Sequence, residues 1–180
     1  MPTARRCASW SLLAVALTLG ATTAPSVHRA VATVHPAASA ATRPANQHVT
    51  GTVTFTQDGD VLSFVADVDG LAPNTLHGFH IHEKGDLSDP GLLKAGGHYN
   101  PTHQPHGGPM SAHHHAGDLG NLTADADGHA HLAGTLPGVK LDAILGRSVI
   151  IHAKADDLHT QPSGDSGGRV AGGVIESAAE

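Results

Sequence analysis

Alternating apolar and polar residues recur along the chain from residue 48 onward. Val49, Val53 and Phe55 alternate with threonines, Asp58-Gly59 interrupts the pattern, and Val61–Val65 resumes it. Alternation with period two is typical of strands with one buried face, and an Asp-Gly pair between two such runs indicates a hairpin. No segment shows sustained helical periodicity, so the pattern predicts an all-β domain.

Further apolar runs are separated by Gly- and Pro-containing turn signals. The predicted strands fall at residues 48–56, 61–65, 76–82, 119–124, 130–136, 148–153 and 170–175. Short strands with regular turn signals imply an antiparallel sandwich or barrel. Residues 83–117 and 155–168 are long polar connections, and loops of such length inside a domain are usually functional.

The N-terminal part of the chain has a different composition. Arg5 and Arg6 precede an apolar stretch from Trp10 to Leu19 and a small-residue run at 21–24, which predicts a secretory signal peptide over residues 1–24. Residues 25–46, rich in Ala, Thr, Pro and Ser, predict a flexible tether, and the folded domain is expected over residues 47–180. The protein is therefore expected to be exported to a periplasmic, cell-envelope or extracellular location, without membrane attachment once the signal is removed.

Charge and cysteine content narrow the classes of function. Residues after 45 contain six basic and all sixteen acidic residues, a formal net charge of −10 with histidine neutral. This excess of acid argues against nucleic acid as a partner, because nucleic-acid binding needs a basic surface. The only cysteine is Cys7, so the exported domain can neither form an internal disulfide nor bind a metal through thiolate.

Histidine is the candidate ligand. His80 and His82 occupy positions i and i+2 of an apolar run, which places both imidazoles on the same face of a strand. His98, His106, His115 and Asp118 follow in the first long loop, and His152 ends a later apolar run. Nitrogen and carboxylate ligands without sulfur favour Zn(II) or Cu(II).

Six segments together resemble the copper/zinc superoxide dismutases in order and approximate spacing, over residues 48–176. They are Leu76-His77-Gly78-Phe79-His80-Ile81-His82, Gly97-His98-Tyr99-Asn100-Pro101, His106-Gly107-Gly108-Pro109, His115-Ala116-Gly117-Asp118-Leu119-Gly120-Asn121, His152-Ala153-Lys154-Ala155-Asp156-Asp157 and Gly168-Arg169-Val170-Ala171-Gly172-Gly173-Val174-Ile175. Six motifs in order are far more specific than any one of them. The resemblance implies a Greek-key antiparallel β-barrel of about eight strands with two long functional loops.

The resemblance also implies two metal ions per subunit, one copper and one zinc. The implied copper ligands are His80, His82, His98 and His152. The implied zinc ligands are His98, His106, His115 and Asp118. His98 would bridge the two ions. A closed set of three imidazoles and one carboxylate suits a structural zinc, whereas the four-imidazole set leaves an axial position for a small ligand at a metal that can change oxidation state.

The implied activity is disproportionation of superoxide to dioxygen and hydrogen peroxide. The catalytic residues would be Arg169, which binds and steers the anion, and His98, which takes up and returns a proton. Asp156 would accept hydrogen bonds from His80 and His106, and His77 would support the copper-binding strand. Lys154 is a further candidate for anion steering, and Ser163 for the channel rim opposite Arg169.

Some alternatives stay open at this level. His114 is a second choice for the place given to His115, because three histidines stand in a row at 113–115. A different class of function is an exported, non-enzymatic protein of similar fold that carries or buffers copper or zinc. Loss of the bridging histidine, the arginine or a copper ligand would favour that class, and none is lost here. The sequence leaves open whether the protein is a monomer or a homodimer.

One feature departs from many relatives, which join the metal-binding loop to the last strand by a disulfide. The corresponding cysteines would fall at about Leu92 and at Gly172, and neither is present. We expect Leu92 or Leu93 to anchor the loop by burial instead. We also expect a domain that depends more on zinc for its stability than its relatives do and that thiols do not unfold.

Overall fold

Eight antiparallel strands form a nearly closed β-barrel in this computed structural model, which describes residues 28–42 and 48–178. The strands are β1 His28–Pro36, β2 Thr50–Asp58, β3 Val61–Asp69, β4 Leu76–His82, β5 Asp118–Thr123, β6 Ala130–Thr135, β7 Ser148–His152 and β8 Arg169–Ser177. The helical turns within these residues are two 3-10 turns, Ala38–Thr42 and Leu93–Ala95, and the short α-helix α1 Leu141–Ile144. The prediction of an all-β barrel of about eight strands is confirmed.

The strand order is β5-β4-β7-β8-β1-β2-β3-β6, so two connections pass across the barrel. The β3–β4 and β6–β7 connections skip strands, while β2 and β3 form a plain hairpin around Gly59, whose φ is 55°. Crossing connections of this kind are typical of Greek-key topology. They bring β4 and β7, which carry three of the four candidate copper ligands, side by side.

The N-terminal strand corrects the sequence interpretation. Residues 25–46 are predicted to be a tether and the domain to begin at 47, yet β1 lies between β2 and β8 and pairs with both. Ala30, Ala32 and Val34 are buried in the core. Over the described residues 28–42 the tether prediction was wrong, because the buried side chains of β1 are small and neighbouring strands supply most of the apolar surface that holds it. The predicted signal peptide, residues 1–24, lies outside the described residues.

Apolar side chains of alternating strand positions fill the barrel. All three phenylalanines, Phe55, Phe64 and Phe79, take part, with ring centroids 6.3 Å apart for Phe55–Phe64 and 6.2 Å for Phe64–Phe79. Phe64 lies opposite Gly134 in the β3–β6 register, where a Cβ would come within 2.7 Å of the ring. Glycine there lets the ring cover the neighbouring strand.

The two long loops lie where the sequence places them. Residues 83–117 join β4 to β5, and residues 153–168 join β7 to β8. Within the described residues, no helix has both the length and the apolar character that crossing a membrane requires.

Candidate metal centre

Backbone pairing alone places several of the candidate residues next to one another. His80 pairs with Asp118 across β4–β5, and His152 pairs with Arg169 across β7–β8. An isolated bridge places His98, from the first long loop, opposite His82. Register irregularities fall next to these positions, between Gly78 and His80 and between Ile151 and His152. Such irregularities redirect side chains locally and are common beside functional sites.

Two groups of buried donor atoms result, and each could hold a metal ion. Within each group the donor atoms all lie within 4.8 Å of one another. The first group is His80, His82, His98 and His152. The second group is His98, His106, His115 and Asp118. His98 belongs to both, so a metal ion in each group would share its ring.

Hydrogen bonds to the outer ring nitrogens indicate which atoms of the first group face inward. His80 Nε2 donates to Asp156 Oδ2 (2.8 Å), and His82 Nδ1 donates to Gly96 O (3.0 Å). His152 Nδ1 donates to Gly167 O (3.2 Å). In a neutral imidazole the other nitrogen then carries a lone pair, so the inward atoms are His80 Nδ1 and the Nε2 atoms of His82 and His152.

These inward lone pairs have no protein partner that suits them. His80 Nδ1 and His98 Nε2 are buried without a hydrogen bond, and the Nε2 atoms of His82 and His152 face each other at 3.3 Å. Buried, unpartnered acceptors are costly, and two lone pairs at this distance repel. A cation among them would satisfy all four, so the residues present fit a metal that prefers imidazole.

The second group is organised around a carboxylate. Asp118 Oδ1 lies 2.8 Å from His98 Nδ1 and 3.1 Å from His115 Nδ1, and Oδ2 lies 3.1 Å from His106 Nδ1. His98 therefore turns Nδ1 toward this group and Nε2 toward the first. Backbone amides of Gly107 and His115 also donate to Asp118 Oδ2. Three nitrogens converging on one buried carboxylate form a donor set that suits zinc.

Burial and ion pairing set the charges of the centre without metal. Burial lowers the pKa of His80 to about 4, although its hydrogen bond to Asp156 acts in the opposite direction, and burial lowers the pKa of His82 and His152 well below the usual value. Burial also acts to lower the pKa of His106, but its contacts with Asp118 and Asp156 outweigh this and raise the pKa to about 9. At Asp118 and Asp156, burial acts to raise the pKa, but the hydrogen bonds from histidines outweigh it and hold the pKa of both carboxyl groups low. Burial also lowers the pKa of His98, so all four histidines of the first group are neutral, as metal ligands must be.

Asp156 connects the two groups from outside. Its Oδ2 accepts from His80 Nε2 (2.8 Å) and its Oδ1 from His106 Nε2 (2.9 Å), the two histidines that the sequence interpretation assigns to it. Gly164, with φ of 65°, passes so close that a Cβ there would collide with Asp156 Oδ1. The close passage of Gly164 buries the carboxylate between two imidazoles and fixes both rings.

His77 supports the centre through the backbone. Its Nδ1 contacts His152 O (2.7 Å) and its Nε2 contacts Thr75 Oγ1 (2.8 Å), with the ring buried. The ring therefore ties the start of β4 to the end of β7, where His152 lies.

Two amide side chains that sequence reasoning missed hold backbone segments of the site. Asn121 Oδ1 accepts from Asp156 N (2.7 Å) while its Nδ2 donates to Asp156 O (2.9 Å). Gln161 does the same for His106, with its Oε1 2.8 Å from His106 N and its Nε2 2.9 Å from His106 O. Asn121 ends one of the recognised motifs, so a signal existed for it. Gln161 lies in the second loop, where nothing in the sequence pattern marks it.

A cavity of about 520 Å³ opens over the first group and connects it with solvent. Its lining includes His82, His98, His152, Arg169 and Ser163, and its acidic residue is Glu83. Arg169 is half-buried there, and its guanidinium donates to the carbonyls of Leu92 and Gly96. Lys154 is exposed, pairs with Asp165 at 3.5 Å, and is not part of this lining.

Three histidines of the first long loop, at positions 103, 113 and 114, belong to neither donor group. His114 donates from Nδ1 to the His115 carbonyl (2.7 Å) and belongs to neither donor group, whereas His115 belongs to the second. His113 is exposed beside Gln104. His103, interpreted from sequence as a solvated loop residue, is exposed and lies at the edge of the cavity.

The position of the absent disulfide is filled by packing. Leu92 is buried, whereas Leu93 is 71% exposed, so Leu92 is the anchor of the two that the sequence offered. A Cβ at Gly172 would lie 3.3 Å from Leu92 Cδ1, so the leucine occupies the space above this glycine.

Comparison with known proteins agrees with this geometry. The family described as "Copper/zinc superoxide dismutase (SODC)" matches residues 49–175. The chain is 39% identical over 142 residues to an extracellular Cu-Zn superoxide dismutase of Brugia pahangi, covering 72% of this chain and 70% of the relative. It is 40% identical over 141 residues to a Cu-Zn superoxide dismutase of Paramecium bursaria Chlorella virus 1, covering 73% and 75%.

Proposed function

The chain belongs to the copper/zinc superoxide dismutase family, and we propose that its two buried donor groups hold the two metals separately. The protein is an oxidoreductase that disproportionates superoxide to dioxygen and hydrogen peroxide with copper and zinc as cofactors. The proposed copper ligands are His80, His82, His98 and His152. The proposed zinc ligands are His98, His106, His115 and Asp118. The observation that carries this assignment is that the ring of His98 alone faces both groups.

Copper, when bound, supplies the one-electron redox couple, and zinc supplies fixed positive charge. Three members of the first group, His82, His98 and His152, line the cavity, whereas the second group reaches it only through His98 and His115. The redox reaction therefore belongs to the first group, and the four ligands of the second group suit a structural zinc. This division explains why one group contains a carboxylate and the other contains only neutral imidazoles.

Arg169 binds the anion and orients it in the cavity. Its guanidinium is the positive group of the lining, and its two donations to backbone carbonyls hold it in place. In a protein with a strong excess of acid, a fixed cation at the end of the cavity gives a superoxide ion its local attraction. Ser163 lines the same cavity and offers a hydroxyl to the anion or its water.

His98 holds one of the two protons that the peroxide product takes up, and solvent in the cavity supplies the other. Its Nε2 is buried without a hydrogen-bond partner and lies at the base of the cavity, so this atom can take up a proton and pass it to the peroxide product. Its Nδ1 stays beside Asp118, which keeps the ring oriented while Nε2 changes its proton. Asp156 and His77 act by positioning the ligands, through the hydrogen bonds described above.

We further propose that the protein is exported. Residues 1–24 have the composition of a signal peptide, and one relative is an extracellular enzyme. β1 begins at His28, so removal of residues 1–24 would leave every strand of the barrel intact. N-terminal sequencing of the exported protein tests this directly. A mature chain that begins after residue 28 would contradict it, because the cut would remove part of a core strand.

The proposed function is tested by the decay of superoxide in stopped flow with the copper- and zinc-loaded protein. We expect His98→Ala and Arg169→Ala each to lower the second-order rate constant at least about tenfold. Arg29→Ala is the matched control, because Arg29 is an exposed arginine on β1 outside this cavity. A wild-type rate no higher than that of the same amount of free copper would instead favour the non-enzymatic metal-binding class, which the family match does not favour.

A further inference from the structure

We propose that residues 37–42, here called the connector, form a non-covalent latch that positions Arg169 and His82. The connector follows β1 and lies outside the region that matches the family, which begins at residue 49. The inference rests on the proposed role of Arg169 in binding the anion. It assigns a positioning role to a segment that contacts neither metal group.

The connector packs against the loop that follows β4. Ala37 and Ala40 are buried in a small apolar cluster, separate from the barrel core, that is completed by Leu92, Ala95 and Ile150. We call this the outer cluster. Two backbone hydrogen bonds reinforce it: Ser39 N donates to Pro90 O (2.8 Å) and Ala37 N donates to Val170 O (2.8 Å). The connector therefore holds both the loop, at Pro90, and β8, one residue beyond Arg169.

The loop segment under the connector presents the carbonyls that fix the site. Arg169 donates to Leu92 O and Gly96 O, and Gly96 O also accepts from His82 Nδ1 (3.0 Å). Leu92 and Ala95, whose side chains belong to the outer cluster, flank these carbonyls. Their position therefore sets where the guanidinium and the His82 ring lie.

Nothing covalent holds this segment. The described part of the loop contains no cysteine, and Leu92 itself has φ of 56°, a left-handed conformation that a leucine rarely adopts unless its surroundings impose it. Two features hold it: the Leu92 side chain is buried between Gly172 and the connector, and Asp89 accepts hydrogen bonds from the backbone amides of Leu92, Leu93 and Lys94. A connector that moved away would expose Leu92 and let its carbonyl move away from Arg169. The Gly96 carbonyl would move less, because Lys84 N and Glu83 N donate to the flanking carbonyls of Ala95 and Gly97.

The test disturbs the connector and measures anion binding rather than turnover. Ala40→Asp places a carboxylate in the outer cluster, and Ala38→Asp is the matched control, because Ala38 is exposed in the same 3-10 turn. The dissociation constant of azide from the copper-loaded protein, measured from its optical charge-transfer band, is the readout. We expect Ala40→Asp to raise it about three- to tenfold and Ala38→Asp to leave it within about 1.5-fold. An Ala40→Asp variant that is folded and copper-loaded but binds azide like wild type would overturn the latch.

A double-mutant cycle shows whether the effect passes through Arg169. In the Arg169→Lys background, Ala40→Asp should change the azide constant less than about twofold, because lysine cannot make the paired donation that the loop carbonyls accept and only the smaller effect through His82 remains. A full effect of Ala40→Asp in that background would contradict the proposed route. Azide affinity unchanged by Arg169→Lys alone would instead contradict the anion-binding role of Arg169, and the exchange measurement below would then decide on the latch.

Amide hydrogen exchange of the unmodified protein provides a test that no folding defect can confound. We expect the amides of Ala37 and Ser39 to exchange with the same opening free energy as those of Leu92 and Ala95, because a latch and the loop it holds open together. Exchange of the Ser39 amide at the rate of an unstructured peptide, beside a protected loop, would overturn the proposal.

Discussion

Replacement of Asp156 by asparagine should weaken copper binding more than zinc binding. Asp156 accepts one imidazole N–H on each oxygen, and Oδ1 also accepts from Leu158 N (2.7 Å). Asparagine has only one accepting oxygen. That oxygen accepts two hydrogen bonds, from His106 and Leu158, if it occupies the position of Oδ1, but only one, from His80, if it occupies the position of Oδ2. Its amide NH₂ would then face the His80 Nε2–H, two donors about a hydrogen bond apart.

The magnitude follows from this mismatch. His80 can relieve it by moving its proton to Nδ1, which removes the lone pair proposed for copper, or by turning its ring. A charge-assisted hydrogen bond lost from one ligand corresponds to about 1.5–3 kcal/mol. We therefore expect the copper dissociation constant of Asp156→Asn to rise about 10- to 100-fold, in the range usual for residues that orient metal ligands, while zinc affinity falls less.

The assay is competition with a chelator of known affinity, read by copper and zinc content of the same sample. Asp157→Asn is the matched control, since this neighbouring carboxylate is exposed and its hydrogen bonds stay within its own turn, to His159 and Thr160. Copper affinity within about twofold of wild type, or a loss of zinc alone, would refute the reasoning about the His80 proton.

Four other outcomes follow from the structure. Leu92→Ala should lower the free energy of unfolding by about 2–3 kcal/mol, the low end for buried leucine because its neighbours in the outer cluster include small alanines, as chemical denaturation would show. Thermal melting should shift strongly with a chelator and not at all with a thiol, since Cys7 is the only cysteine. Without metal, stability should fall as the pH drops from about 6.5 toward 4, because the unfolded chain protonates His80, His82 and His152 before the folded one does. Stability should also fall as the pH rises toward about 9, because folded His106 keeps its proton up to that pH and the unfolded chain does not. Thermal melting across the pH range tests both signs. Glu83→Gln keeps an acceptor for Gly97 N while removing a negative charge from the cavity, so the rate constant for superoxide should rise about twofold at low salt, and less at high salt.

The barrel was largely predictable because most of its strands alternate large apolar and polar residues between clear turns. The hairpin around Gly59 and the β4 strand lie where the pattern predicts them. β1 was missed because Ala30 and Ala32 contribute little apolar surface of their own and lie in a segment rich in Ala, Thr and Pro. Its pairing with both β2 and β8 is a tertiary effect that no local pattern reports.

The site shows the same division between side chains and backbone. The six motifs that resemble the family contain every residue that the structure brings into the two donor groups, because such groups need histidine and carboxylate side chains that a sequence motif can mark. The acceptors of Arg169 are backbone carbonyls of Leu92 and Gly96, which any residue supplies and no sequence pattern marks. The Gln161 contacts with His106 were hidden for a related reason, since 55 residues separate the partners and only the folded loops bring them together.

Anomalous diffraction at the copper and zinc absorption edges, from crystals of the fully loaded protein, tests the central claim most directly. The account predicts a copper ion among His80, His82, His98 and His152, a zinc ion among His98, His106, His115 and Asp118, and the ring of His98 between them. Two ions without a common ligand, or a copper ion bound away from the cavity that Arg169 lines, would contradict it.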